Sequence, residues 1–236
     1  VHPNVSLDLE VLRENARSWA AFAGVPLRGV VKSDGYGWGF ATLVNALDEL
    51  VEAFVVADAQ EFDAVRALTA RPIVTLADTP PDDLDRLLEG GAIPNIASLA
   101  GVHAAAAWGQ RHARAACIRV GLRPAVGWAG FALEELLQLG PALARPELAV
   151  ELWTHLTGAG PEADQRALFA RALAVLRAAG ATIVATDVES SLPLRSGPVH
   201  ESFVRVGVGL FGARSQPEPA GVRCALHIEA PVVARV

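Results

Sequence analysis

The 236-residue sequence carries 20 basic and 26 acidic side chains, a net charge of −6 with His neutral, and is 52% hydrophobic and 19% charged. A chain this apolar can bury a core and is not disordered, and its acidic balance argues against nucleic acid or an anionic membrane as partner. Two cysteines make no disulfide framework, six scattered histidines without C-x-x-C or H-x-x-x-H spacing make no recognisable metal site, and no apolar run reaches the ~18 residues of a membrane span.

In chain order, the apolar pattern predicts a helix over Leu7–Phe22, with Leu7, Leu9, Leu12, Ala16 and Trp19 on one face and Ser6 as N-cap. A strand over Leu27–Lys32, a helix over Thr42–Val51, a strand over Ala53–Ala57, a helix over Gln60–Thr69 and a third strand over Pro72–Leu76 are expected next. The predicted helix Asp82–Glu89 stops at Gly90-Gly91, before a weaker strand over Ala92–Ile96. An Ala-rich helix over Leu99–His112, a strand over Ala115–Val120, a helix over Leu133–Leu139 and a sixth strand over Leu148–His155 are predicted beyond it. A long helix over Pro161–Ala179, with Pro in its first turn and Gly180 after its end, precedes expected strands at Ala181–Thr186 and Phe203–Phe211.

Eight apolar strands separated by helices predict an α/β fold, a (β/α)8 TIM-type barrel, over residues 1–214. A doubly wound open sheet is the structural alternative. Residues 215–236 read as a Pro-rich linker, SQPEP, and an alternating stretch from Val222 that starts a second β-domain, truncated or absent. With no charged-then-apolar leader at the start given, a cytoplasmic protein is the expectation.

The basic residues are unevenly chosen. Nineteen are Arg and one is Lys32; the single Tyr, Tyr36, lies four positions on. An ammonium can lose its proton and become a nucleophile, which a guanidinium cannot do. Chemistry in such a barrel sits at the C-terminal strand ends, where Lys32 falls. Poor solvation there favours the neutral amine and hence a Schiff base. Gly35, Gly37 and Gly39 let the following loop approach a ligand closely, and Tyr36 adds a hydroxyl that can bind phosphate. A surface lysine in a Gly-rich turn is the plain alternative.

The segment VVKSDGYGWG resembles the cofactor-lysine signature of the alanine racemase family, V-V-K-A-D-A-Y-G-H-G. The upstream L-R-E-N with Leu12 and Asn15 is similar to that family's entry helix. ELWTHL (151–156) is similar to the strand bearing its His, TDVESS (186–191) to the segment bearing a phosphate-binding Ser, and FVRVGVGLFG (203–212) to its R-x-G-x-x-x-Y-G strand. The resemblance implies a pyridoxal 5′-phosphate-dependent amino-acid racemase, an isomerase that removes and returns the Cα proton. Carried over residue by residue, it makes Lys32 the cofactor anchor and the base on one face. Tyr36, Ser190 (or Ser191) and the backbone at Gly207 and Val208 would hold the phosphate. Arg205 would donate to the pyridine nitrogen; as it stays protonated, the ring remains a weak electron sink. His155 would pack near the ring and link to Arg205. The implied substrate is an amino acid. The family's second-face Tyr comes from a C-terminal β-domain of the partner subunit, which leaves a homodimer open.

Some positions depart from the family pattern. In IRVGLRPAVGWAGF (118–131), Arg119 stands at a lysine that is often carbamylated and Gly121 at an Asp. Trp128 stands near an Arg that contacts the cofactor's phenolic oxygen and the substrate carboxylate; Arg119 and Arg123 are the candidates to replace it. Phe211 replaces a common Tyr and Trp38 a common His, and no second Tyr is present. Two other readings stay open: a single-domain carrier that binds pyridoxal phosphate without full racemase activity, and a barrel without cofactor that binds a partner.

Overall fold

The computed structural model describes residues 3–123, 130–156, 161–190, 201–213 and 219–230. The described residues form eleven strands in chain order: β1 Asn4–Leu7, β2 Leu27–Val30, β3 Ala53–Val56, β4 Ile73–Asp78, β5 Ala92–Ile96, β6 Ala116–Gly121, β7 Leu148–Trp153, β8 Ile183–Asp187, β9 Glu189–Ser190, β10 Val204–Val206 and β11 Leu226–Glu229. The main sheet runs β8-β7-β6-β5-β4-β3-β2-β10-β9 with parallel neighbours throughout. Strand β9 continues β8 across Val188, and the two pair with opposite ends of the sheet. The sheet therefore curls into a nearly closed (β/α)8 barrel, not the open doubly wound sheet.

Each strand is short and apolar because both faces are covered. Outward residues pack under the surrounding helices: Phe54, Val56 and Ile73 meet Leu43, Leu47, Phe62 and Val65 in one cluster, and Ile118, Val120 and Val150 meet Leu136 and Leu176 in another. Inward residues of β2, β3, β4 and β7 (Val30, Ala53, Val55, Val74, Leu76 and Trp153) meet across the barrel interior.

Several boundaries differ from the sequence reading. The first helix is Leu9–Ala23, capped by Asp8, whose carboxylate accepts from Glu10 N and Val11 N at 2.9 and 3.0 Å. Ser6 lies instead in β1, which the sequence pattern did not separate from the helix. Strand β2 ends at Val30, two residues before Lys32, and β7 ends at Trp153, two before His155. The eighth barrel strand is only Val204–Val206, followed by a 3-10 turn at Val208–Phe211. Of the alternating stretch after Val222, Leu226–Glu229 forms a strand, antiparallel to β1 in a two-stranded sheet of their own. Residues 214–218 and 231–236 lie outside the described residues.

Candidate active site at the barrel mouth

Lys32 emerges from the C-terminal end of β2 into an unusual turn. Ser33, Asp34, Gly35, Tyr36 and Gly37 all have positive φ, between 49° and 87°. One turn of left-handed backbone costs roughly 1–2 kcal/mol for each non-glycine residue, so something must hold it. Glu61 does part of this: its carboxylate accepts from Ser33 N at 2.6 Å and from Ala57 N at 2.7 Å. Asp34 accepts from Phe40 N at 2.9 Å, and the Asp34 carbonyl from Gly39 N at 2.8 Å. The turn delivers Tyr36 back over the barrel, where its ring meets Phe211 edge-on at 5.5 Å.

The Tyr36 hydroxyl lies against Gly207. A Cβ on Gly207 would collide with that oxygen, so glycine is required by a close approach. Burial pushes the Tyr36 phenol up to about 12. The turn after Gly207 is fixed from outside the barrel: Trp19 Nε1 donates to Gly209 O at 3.0 Å and Asn15 Nδ2 to Leu210 O at 2.9 Å. The first helix thus aims the Gly207–Val208 backbone at the Tyr36 side of the mouth. Ser190 joins the same corner through its backbone, pairing with Arg205 in the β9–β10 register.

Below this corner runs a ladder of buried charges. Arg28 makes a two-pronged pair with Glu151 at 2.6 and 2.8 Å and reaches Glu52 at 3.0 Å. Arg119 lies 3.5 Å from Glu151 and 2.7 Å from Asp187. Asp187 Oδ2 also lies 2.6 Å from Arg205 Nε, and Arg205 Nη2 donates to Thr154 O at 2.7 Å. Burial works to lower Arg28, but the hydrogen bonds and charge of Glu151 outweigh it and hold Arg28 above its ordinary value. Arg119 is wholly buried, and desolvation pulls it down to about 10, so it remains charged at neutral pH. Trp153 spreads its ring beside both Arg119 and Arg205, at 4.6 and 4.9 Å, and is locked by its Nε1 donating to Asn95 Oδ1 at 2.8 Å.

His155 follows Trp153 at the mouth and is half-buried. Desolvation, then the charges of Arg205 and Lys32, hold it down to about 4 against the pull of Asp187, so it is neutral at physiological pH. Lys32, His155 and Arg205 therefore share one electrostatic environment, with Tyr36, Gly207 and the Ser190 backbone at its edge. Val208 is 40% exposed at the same turn. Arg123 faces elsewhere, donating to Gly130 O and Glu135. Trp128 lies outside the described residues. Among the described residues, no cluster of His, Cys, Asp and Glu suits a metal ion.

A family model described as alanine racemase, N-terminal domain, matches residues 7–215. The chain belongs to the alanine racemase family. The alanine racemase of Halorhodospira halophila is 42% identical over 84 residues, 34% of this chain and 23% of the relative. That of Methylobacterium nodulans is 29% identical over 97% of this chain and 64% of its own length. The chain thus spans less than two thirds of these relatives. Among solved structures, alanine racemase from Streptomyces lavendulae superposes with a TM-score of 0.83 at 23% identity, covering 97% of this chain and 65% of that one. The Bartonella henselae enzyme, with covalently bound pyridoxal phosphate, gives 0.81 at 19% identity, covering 99% and 67%. These likenesses show the same barrel.

Sequence reasoning missed Arg28, Glu151 and Asp187. A signal for them existed: β2, β6, β7, β8 and β10 each carry a single charged residue in an otherwise uncharged strand. A charge in such a strand must be paired if its face is buried.

Proposed function

We propose that this chain is the cofactor-binding barrel of a pyridoxal-phosphate-dependent amino-acid racemase. The carrying observation is the convergence at one barrel mouth of the only side-chain amine in the sequence, Lys32, with His155, Arg205 and the Tyr36–Gly207 contact. The residues suit that cofactor: a Cβ at position 207 would fill the backbone cradle beside Tyr36, Lys32 supplies an amine able to condense with an aldehyde, and Arg205 supplies a guanidinium donor for a ring nitrogen. Lys32 would hold the cofactor; Tyr36, Ser190 and the backbone at Gly207 and Val208 would hold its phosphate, and Arg205 would face the ring nitrogen.

When bound, pyridoxal phosphate supplies an electron sink that acidifies the Cα–H of an attached amino acid. Lys32 Nζ would take or return that proton on one face of Cα, and inversion calls for a second proton donor on the opposite face. A guanidinium does not give up its proton, so Arg205 facing the ring nitrogen would leave that nitrogen unprotonated and favour return of the proton to Cα. His155, neutral, fills space beside Arg205 without adding charge. The Tyr36 hydroxyl, ionising only near 12, remains a donor.

One observation favours a second reading, cofactor binding without turnover. Tyr36, the single tyrosine in the sequence, packs on Gly207 and Phe211 and is committed there. Incubation with single amino acids in deuterated water separates the two. Under the racemase reading, Cα–H exchange appears, with D/L interconversion when both faces are served and exchange alone when only the Lys32 face is, and Lys32→Arg removes the exchange, a loss on the order of 10²–10⁴-fold or more. Cofactor uptake without exchange for any amino acid supports binding alone.

A further inference from the structure

One carboxylate serves two buried guanidiniums. Asp187 Oδ2 is 2.6 Å from Arg205 Nε and 2.7 Å from Arg119 Nη2, and the three side chains are at most 4% exposed. Trp153 lies beside both guanidiniums, and Thr154 O holds Arg205 Nη2. Taken alone, the trio carries one net positive charge. Charges facing it are Arg28 from β2, paired with Glu151 of β7 and Glu52, and at the mouth Lys32 and neutral His155. In so dry a setting, one charge more or less is poorly screened.

We propose that Asp187 and Arg119 are positioning residues that set how much positive charge Arg205 presents to the cofactor ring. This rests on the cofactor site proposed above. Asp187 shields Arg205, and Arg119 limits that shielding by sharing the same oxygen. Arg119 is well suited to this, since its pair with Asp187 and its stacking on Trp153 fix it from two sides.

The test compares wild type, Asp187→Asn, Arg119→Met and the double variant, each loaded with pyridoxal phosphate. The readout is the pH at which the visible band of the bound cofactor changes. Removing the carboxylate adds net positive charge and disfavours protonation, so Asp187→Asn lowers that pH by about one unit. Arg119→Met removes positive charge and raises it by a similar amount. The double variant restores the net charge and returns near wild type. Equal titration in all four, or single-variant shifts of the same sign, overturns the proposal. If Arg119→Met does not fold, Asp187→Asn and the double variant still carry different expectations, displaced against restored. A wild type that takes up no cofactor at Lys32 overturns the site reading itself, an outcome visible before any variant is compared.

Discussion

Strands β3 and β4 line the barrel interior with Ala53, Val55, Val74 and Leu76, whereas β6, β7, β8 and β10 line theirs with Arg119, Glu151, Asp187 and Arg205. The two sides are buried alike, yet they answer differently to substitution. The apolar side gains from leaving water, by about 25 cal/mol for each Å² buried. On the charged side, desolvation opposes the Coulomb gain, so the ladder does little net stabilising while intact and is costly when broken. Its value is placement: it fixes guanidiniums under the mouth where an apolar wall could not.

The sharpest way to break this comparison is Glu151→Ala. It takes the two-pronged partner from Arg28, leaving that guanidinium only Glu52, and one of two carboxylates from Arg119, so a loss of about 3–5 kcal/mol in urea unfolding is expected. Val55→Ala, on the apolar side, is expected to cost less, about 1–3 kcal/mol by the same measurement. Equal losses would erase the distinction between the sides.

The mouth responds to acid. His155 titrates near its ordinary 6.5 when unfolded but is held down to about 4 when folded. Its contribution is therefore complete above pH 6.5 and is lost as pH falls toward 4. Unfolding stability measured across that window should decline, and His155→Gln should flatten the decline. The smallest effect belongs to the outer surface. Arg86 and Asp63 are 44% and 61% exposed, and Arg86→Ala should change stability by less than about 1 kcal/mol. That contrast sharpens the point that burial, not pairing, makes the inner ladder sensitive.

Much of this was legible in the sequence. The helix–strand alternation was readable because each barrel strand is buried on both faces, and strand ends were missed by two residues where backbone, not hydropathy, sets the limit. Lys32 and Tyr36 stood out because each is unique. The left-handed turn that joins them was not readable: Gly35 and Gly37 hinted at it, but Ser33, Asp34 and Tyr36 adopt positive φ through Glu61 and Asp34 contacts. Asp187 lies inside TDVESS, yet its partners Arg119 and Arg205 are 68 and 18 positions away, and only the barrel brings them together. Strand β1 was missed because four residues paired with β11, more than 200 positions away, leave no local pattern.

The central claim is that Lys32 is the covalent anchor at this mouth. Because it is the only side-chain amine in the sequence, borohydride reduction of the pyridoxal-phosphate-loaded protein followed by peptide mass analysis addresses it directly. A single pyridoxyl group on the peptide containing Lys32, absent from Lys32→Arg, is the predicted result. A loaded protein with no label on that peptide, or with the same label in Lys32→Arg, would contradict the account.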